Sequence, residues 1–149
     1  MSTVHEEIVD RLEEILEKNI DAEKGYTKAA ENAKNPGLIS YFERKSSDRR
    51  HFNTELKSKL VAAYDEIEDE GSFTGTIHRT WMDVKAFFSG DNDEAMLEEA
   101  IKGDKAAVEE YDEILEDGHL PMDIADCIKE QKMKIRNDLN KIKTLEDLA

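Results

Sequence analysis

Asp48 and His51 have the residue types and the spacing that metal chemistry requires. They stand three positions apart in Asp48-x-x-His51, so a helix would place the carboxylate and the imidazole on neighbouring turns. A di-metal site in a helical bundle joins such pairs to single carboxylates from other helices. Glu23 and Asp104 could supply these carboxylates. One hypothesis is therefore an iron or manganese site built from these four residues.

The apolar pattern around Asp48 and His51 favours a different inward face. The residues of this pattern are Phe42, Lys45, Arg49, Phe52 and Leu56. They follow alternating three- and four-residue steps, which are typical of the seam of a packed helix. In this phase Arg49 and Phe52 face the core, whereas His51 points towards solvent. The predicted fourth helix contains no histidine, so the sequence predicts no standard di-metal centre and no cofactor.

The four predicted helices together place a polar layer in their seams, formed by Asn19, Arg49, Asp104 and Gln131. Glu23, Lys45 and Asp48 lie on or near this layer. We expect Arg49 to pair with Asp104, because a guanidinium can donate two parallel hydrogen bonds to a carboxylate. Arg49 would then supply the positive charge that the metal ions supply in a di-metal site. The polar layer would also fix the register of the bundle. The alternative is that Arg49 extends to the rim, where its charge stays in water.

The seams that carry these residues predict an all-α fold. Four long helices cover residues 3–34, 36–69, 93–117 and 121–143, and a short helix lies in the connection at 71–91. Thr3, Asn35 and either Asp91 or Asn92 are predicted to cap helix starts, and Gly118 to end a helix. Short turns make two antiparallel hairpins, which the long connection joins. Residues 1–149 are predicted to form one four-helix-bundle domain, with a frayed tail after residue 143.

The long connection carries a concentration of aromatic residues. Trp81, the only tryptophan, lies in an amphipathic pattern with Phe87 and Phe88. Packing against the bundle is the simplest explanation of this pattern. The alternative is a partner or homodimer surface, because aromatic residues are enriched at interfaces.

Several sequence motifs resemble a bacterial family of ferritin-like four-helix bundles, most of whose members have no known function. The motifs are Tyr26-Thr27-Lys28-Ala29-Ala30-Glu31, Arg49-x-x-Phe52-x-x-x-Leu56, His78-Arg79-x-Trp81-x-x-x-Lys85 and Gly103-Asp104 followed by Tyr111. The resemblance spans nearly the whole chain. It implies a ferritin-like bundle, degenerate relative to ferritins and rubrerythrin-like proteins, and it implies no particular activity.

The composition narrows the functions that the chain could have. Its 36 acidic and 21 basic residues give a formal charge of -15, which disfavours binding to nucleic acid and to anionic membranes. No apolar run approaches the roughly 20 residues of a membrane span, and the N-terminus lacks the pattern of a signal peptide. The single cysteine, Cys127, fits a reducing compartment. We therefore expect a cytoplasmic protein.

These observations lead to three functional hypotheses. The preferred one is a non-enzymatic bundle that acts through its surface or as a homodimer, in a structural or stress-related role; the stress association is analogy with other such bundles. The second is an iron- or manganese-binding, ferroxidase-like protein that uses Glu23, Asp48, His51 and Asp104. The third is a module that binds a small ligand between the helices.

Overall fold

The computed structural model describes residues 4–63 and 92–148, with side chains from residue 7 onwards. An all-α bundle is formed by α1 (Val4–Asn32), α2 (Pro36–Ala63), α3 (Asp93–Asp117) and α4 (Met122–Lys141), and a short 3-10 helix, Leu145–Leu148, follows. The described ranges contain no strand, which confirms the predicted all-α class. None of their helices has the length and apolar character needed to cross a membrane.

Some of the predicted features lie outside the described residues. They are the Thr3 cap, the end of the second helix at 64–69, and the connecting helix at 71–91. The candidate interface residues Trp81, Phe87 and Phe88 belong to that connecting helix and also lie outside.

Polar caps and one glycine set helix ends as the sequence predicts. Asn35 Oδ1 accepts hydrogen bonds from the backbone N–H groups of Gly37 at 2.8 Å and Leu38 at 3.2 Å. These donors would otherwise lack partners in the first turn of α2. Asn92 caps α3 in the same way. Gly118 ends α3 with φ of 77°, a left-handed conformation that glycine adopts without steric cost.

The two short turns produce two antiparallel hairpins. In the first, the hydroxyl oxygens of Thr27 and Ser46 lie 2.7 Å apart, and Asn19, earlier in α1, bonds to Arg49, later in α2. In the second, the turn after Gly118 folds α4 back along α3. Each helix therefore packs beside its neighbour in sequence within a hairpin.

Contacts between the hairpins fix the remaining helix directions. Arg11, in the first half of α1, pairs with Asp117 at the end of α3, whereas Tyr26, later in α1, bonds to Asp104, earlier in α3. The helices α1 and α3 are therefore antiparallel. Because α2 is also antiparallel to α1, α2 and α3 run parallel to each other. The chain between them must connect opposite ends of the bundle, over about 40 Å at 1.5 Å per helical residue. Only a long connection can do this.

Two apolar clusters fill the bundle, one on each side of the polar layer. The larger cluster is mainly aliphatic and combines all four helices, with Leu12, Leu56 and Ile128 completely buried. The second cluster contains more aromatic rings, including Tyr26 and Phe42, and lies towards the turn between α1 and α2. Along α1, α2 and α3 the polar positions fall between residues of these two clusters, whereas Gln131 of α4 lies between Ile128 and Ile135 of the larger cluster.

The C-terminal tail differs from the frayed extension that the sequence predicts. Leu145 and Leu148 pack against the aromatic-rich cluster. Asp147 accepts a hydrogen bond from the backbone N–H of Lys143 at 2.8 Å. The tail lies so close to Gly37 that a Cβ there would overlap the carbonyl oxygen of Leu148. The prediction was wrong because the two leucines give this short segment apolar surface to bury.

Candidate functional site

The polar layer is centred on Asp104 of α3, which is 1% exposed. Its Oδ1 accepts hydrogen bonds from Arg49 Nη2 and from the Tyr26 hydroxyl, both at 2.7 Å. Its Oδ2 lies 2.6 Å from Lys45 Nζ. Burying an isolated carboxylate is very costly, and here α1 and α2 supply the groups that compensate for the loss of water.

The two cations keep Asp104 ionised. Burial by itself would raise the pKa of this carboxyl, because it removes the charged form from water. The charges and hydrogen bonds of Lys45 and Arg49 outweigh that effect, so the pKa of Asp104 is lowered from its ordinary value. The Asp104 carboxyl is therefore ionised at neutral pH.

Arg49 is buried in the layer, so the alternative position at the rim is wrong. Its Nη1 donates to Asn19 Oδ1 at 2.9 Å, and its Nη2 donates to Asp104. The expected pair of parallel hydrogen bonds to Asp104 is not formed, because Lys45 faces the second carboxylate oxygen. Burial disfavours the Arg49 cation, yet the charge of Asp104 outweighs burial and raises the pKa of Arg49.

Lys45, one helical turn before Arg49, joins the layer to α4. Its Nζ lies 3.0 Å from Asp138 Oδ2 and thus bridges two carboxylates. Arg44 Nη2 donates to the other oxygen of Asp138 at 2.7 Å. Cations and carboxylates of this network therefore alternate from the buried Arg49 to the half-exposed Arg44.

Amide and hydroxyl groups extend the network in the other direction. Asn19 Nδ2 donates to the Tyr111 hydroxyl at 3.2 Å, and that hydroxyl donates to Gln131 Oε1 at 2.9 Å. Gln131 Nε2 then donates to the backbone carbonyl of Phe52 at 3.0 Å. The structure thus brings all four residues of the predicted layer into one connected network, with Tyr111 as a second link to α4.

Asp138 belongs to this network, and sequence reasoning missed it. The apolar spacing of the fourth helix predicts a seam of Ile124, Ile128, Gln131, Ile135 and Leu139, which passes from Ile135 to Leu139. Leu139 is only partly buried, whereas Asp138 is buried. The three-residue step that identifies the seam of α2 leads from Ile135 to Asp138, so the signal was present. The adjacent Leu139 is the more hydrophobic residue, so the apolar pattern favours Leu139 over Asp138 as the inward position.

The structure does not bring the four candidate metal ligands together. Glu23 and Asp48 each pair with an arginine near the surface, at 3.3 and 2.9 Å. His51 is exposed and lies 3.6 Å from a glutamate one turn later. Asp104 is bound within the layer. In residues 4–63 and 92–148, no group of three or more His, Cys, Asp or Glu side chains is arranged to hold a metal ion.

Other buried groups with potential reactivity are held in their protonated forms. Burial raises the pKa of the Cys127 thiol to about 12, which disfavours the nucleophilic thiolate at neutral pH. Burial likewise raises the pKa values of the Tyr26 and Tyr111 hydroxyls. The arrangement therefore holds charges and hydrogen bonds in fixed positions, which is suited to organising the bundle.

A family comparison places this site in a wider group of proteins. The model of a family described as a domain of unknown function, DUF2383, matches residues 7–117. The match includes Asn19, Arg49 and Asp104 but stops before Gln131 of α4. No curated protein and no solved structure gives a significant match. Because the family model covers most of the chain, the protein belongs to the family of the domain of unknown function DUF2383.

Proposed function

We propose that the chain is a ferritin-like bundle with a structural, non-catalytic role that it exerts through its surface. The helix directions support the ferritin-like relationship, since ferritin-like folds contain a single long crossover connection. In this chain the long connection joins two parallel helices, α2 and α3. The link to stress, which rests on analogy with other such bundles, stays a prediction.

The non-catalytic part of the proposal rests on the two oxygens of Asp104. Arg49 and Lys45 approach them at 2.7 and 2.6 Å. In a ferritin-like di-metal site the inward carboxylates bind the ions. A metal at Asp104 would have to displace both cations and leave them buried. Breaking a buried ion pair in this way costs about 3–5 kcal/mol, so the cations compete strongly with a metal.

The network also explains how such a bundle is kept in one arrangement. Its members come from all four helices, and each hydrogen bond requires a particular alignment of two of them. Apolar seams alone tolerate alternative alignments, whereas a buried polar group favours the one in which its partner is present. A bundle with fixed register presents a constant surface, which is what a structural or binding role requires.

Metal analysis tests the proposal directly. The protein is refolded in the presence of Fe(II) or Mn(II), desalted and analysed for bound metal, and its thermal unfolding is measured with and without EDTA. We expect no stoichiometric metal and no change in Tm. About two metals per chain, lost in His51→Ala or Asp48→Asn, would establish the metal hypothesis instead. These two residues are partly or largely exposed, so their replacement leaves the fold intact.

The proposed homodimer is tested separately by sedimentation of the wild-type protein and of Trp81→Ala. The concentration of aromatic residues around Trp81 supports this part of the proposal. We expect a dimer that dissociates more readily in the variant. A monomeric wild-type protein would exclude self-association, and an unchanged dimer would exclude Trp81 from the interface.

A further inference from the structure

A cleft of about 200 Å³ lies between α1 and α3, beside the polar layer. Its walls include the small residues Ala22, Gly103, Ala106 and Ala107. A Cβ built on Gly103 would meet nothing within 4 Å, so this part of α3 does not pack tightly against another element. Small residues on both sides thus leave the space between the two helices unfilled.

Buried polar groups of the layer form the inner end of the cleft. Tyr26, Arg49 and Asp104 all line it. Arg49 is 4% exposed, and its two terminal nitrogens bond to Asn19 and Asp104. Its Nε–H has no hydrogen-bond partner among the described residues. Buried N–H groups are nearly always paired, so this donor is an unusual feature of the layer beside the cleft.

Charge and volume define the kind of molecule that fits. Lys45 and Arg49 are matched by Asp104 and Asp138, and Lys18 pairs with Glu110 at the cleft edge at 2.5 Å. Asp21, which also lines the cleft, adds a further acidic group, so an anion is disfavoured. An apolar cavity of about 150 Å³ holds benzene, and a volume of about 200 Å³ accommodates one ring with a small substituent.

We propose that this cleft is a binding site for a small, uncharged, mainly apolar molecule. An acceptor oxygen of the carbonyl type receives the hydrogen bond of Arg49 Nε–H, and the apolar body lies against the alanines and Gly103. The polar layer forms the inner wall of this site. Binding of the molecule does not depend on whether the protein has a structural role.

Two probe molecules of nearly equal shape test the hydrogen bond. Acetophenone carries a carbonyl oxygen, and isopropylbenzene replaces that oxygen with a methyl group. Each is titrated into ¹⁵N-labelled protein, and the Arg49 Nε–H and the backbone N–H of Gly103 are followed by NMR. We expect saturable shifts of both signals with acetophenone and weaker binding of isopropylbenzene. Equal binding of the two probes, or no shift with acetophenone, would overturn the proposal.

Two leucine substitutions on α3 test the location. Gly103→Leu places a side chain in the cleft, whereas Lys102→Leu adds the same side chain at a largely exposed neighbour that does not line it. Far-ultraviolet circular dichroism establishes that both variants are folded. We expect acetophenone-induced shifts to be lost in Gly103→Leu and retained in Lys102→Leu. Retention in both variants, or loss in both, would place the binding elsewhere and overturn the proposed site.

Discussion

The polar layer and the aliphatic cluster beside it are built from the same four helices but hold them together differently. In the aliphatic cluster, residues such as Leu12 and Ile128 contact many neighbours through non-directional packing. In the polar layer, Asp104 depends on three particular groups within 2.7 Å of its oxygens. The cluster therefore supplies most of the hydrophobic stabilisation, and the layer selects the arrangement in which its partners meet.

This difference has a consequence for how the two regions respond to mutation. Removing part of an apolar side chain loses contacts roughly in proportion to the volume removed. Removing one partner of a buried ion pair also leaves the other charge without compensation. Single substitutions in the polar layer should therefore lower the free energy of unfolding strongly and non-additively. Substitutions in the aliphatic cluster should lower it roughly in proportion to the side-chain volume removed.

The largest effect is expected for Asp104→Asn. The substitution keeps the shape of the side chain but leaves the buried Lys45 and Arg49 with one negative charge fewer. We expect a loss of about 3–5 kcal/mol in the free energy of unfolding, measured by urea denaturation. Asp48→Asn is the matched control, because its pair with Arg44 is partly exposed and should contribute only about 0–1 kcal/mol.

A triple variant sharpens this prediction. Replacing Lys45, Arg49 and Asp104 together by Met, Met and Leu removes three of the buried charges at once, and Asp138, which loses Lys45, keeps its ion pair with Arg44. Such replacements are often neutral or stabilising, so the triple variant should be more stable than Asp104→Asn. If the single variant loses under about 1 kcal/mol, or if the triple variant is the less stable of the two, the layer behaves like ordinary packing.

In the aliphatic cluster, Leu12→Ala should destabilise the protein by about 2–5 kcal/mol, because Leu12 is completely buried. Leu12→Met, which nearly preserves the volume, should cost less than about 1.5 kcal/mol. The same urea measurement distinguishes them. Equal losses in the two variants would mean that this position demands a particular shape, contrary to the gradual response expected of the cluster.

Acid should weaken the layer through Asp104. Because its pKa is lowered in the folded protein, the ionised carboxylate contributes stability that is present above the unfolded value of about 3.9. This contribution is lost as the pH falls through the folded value. We expect the urea midpoint to decrease between about pH 5 and pH 2, and to decrease less in Asp104→Asn. Identical pH profiles would show that other carboxyl groups account for the acid sensitivity.

Two glycines should give the smallest effects, of opposite sign. Gly37→Ala should destabilise by about 1–3 kcal/mol, since its Cβ would overlap the carbonyl oxygen of Leu148. Gly103→Ala should stabilise by about 0.5–1 kcal/mol, because it improves helix propensity and meets no neighbouring atom. Thermal unfolding measures both. A stabilised Gly37→Ala would contradict the close packing of the tail against α2.

Much of the fold could be predicted because helical signals are local. Asn35, Asn92 and Gly118 act at helix ends as their residue types suggest. Inward positions follow from periodicity, and the step pattern that selects Arg49 would also have selected Asp138. The tail could not be predicted in the same way, because its packing depends on the distant Gly37.

The sequence by itself determined the four helices and the presence of polar residues on their inward faces. Only the tertiary structure decided that Lys45 takes the second oxygen of Asp104, that Arg49 therefore also bonds to Asn19, and that Tyr111 links the layer to Gln131. The physical reason is one of distance. Periodicity follows from a few residues along one helix, whereas these bonds depend on ångström-scale separations between helices that are far apart in sequence.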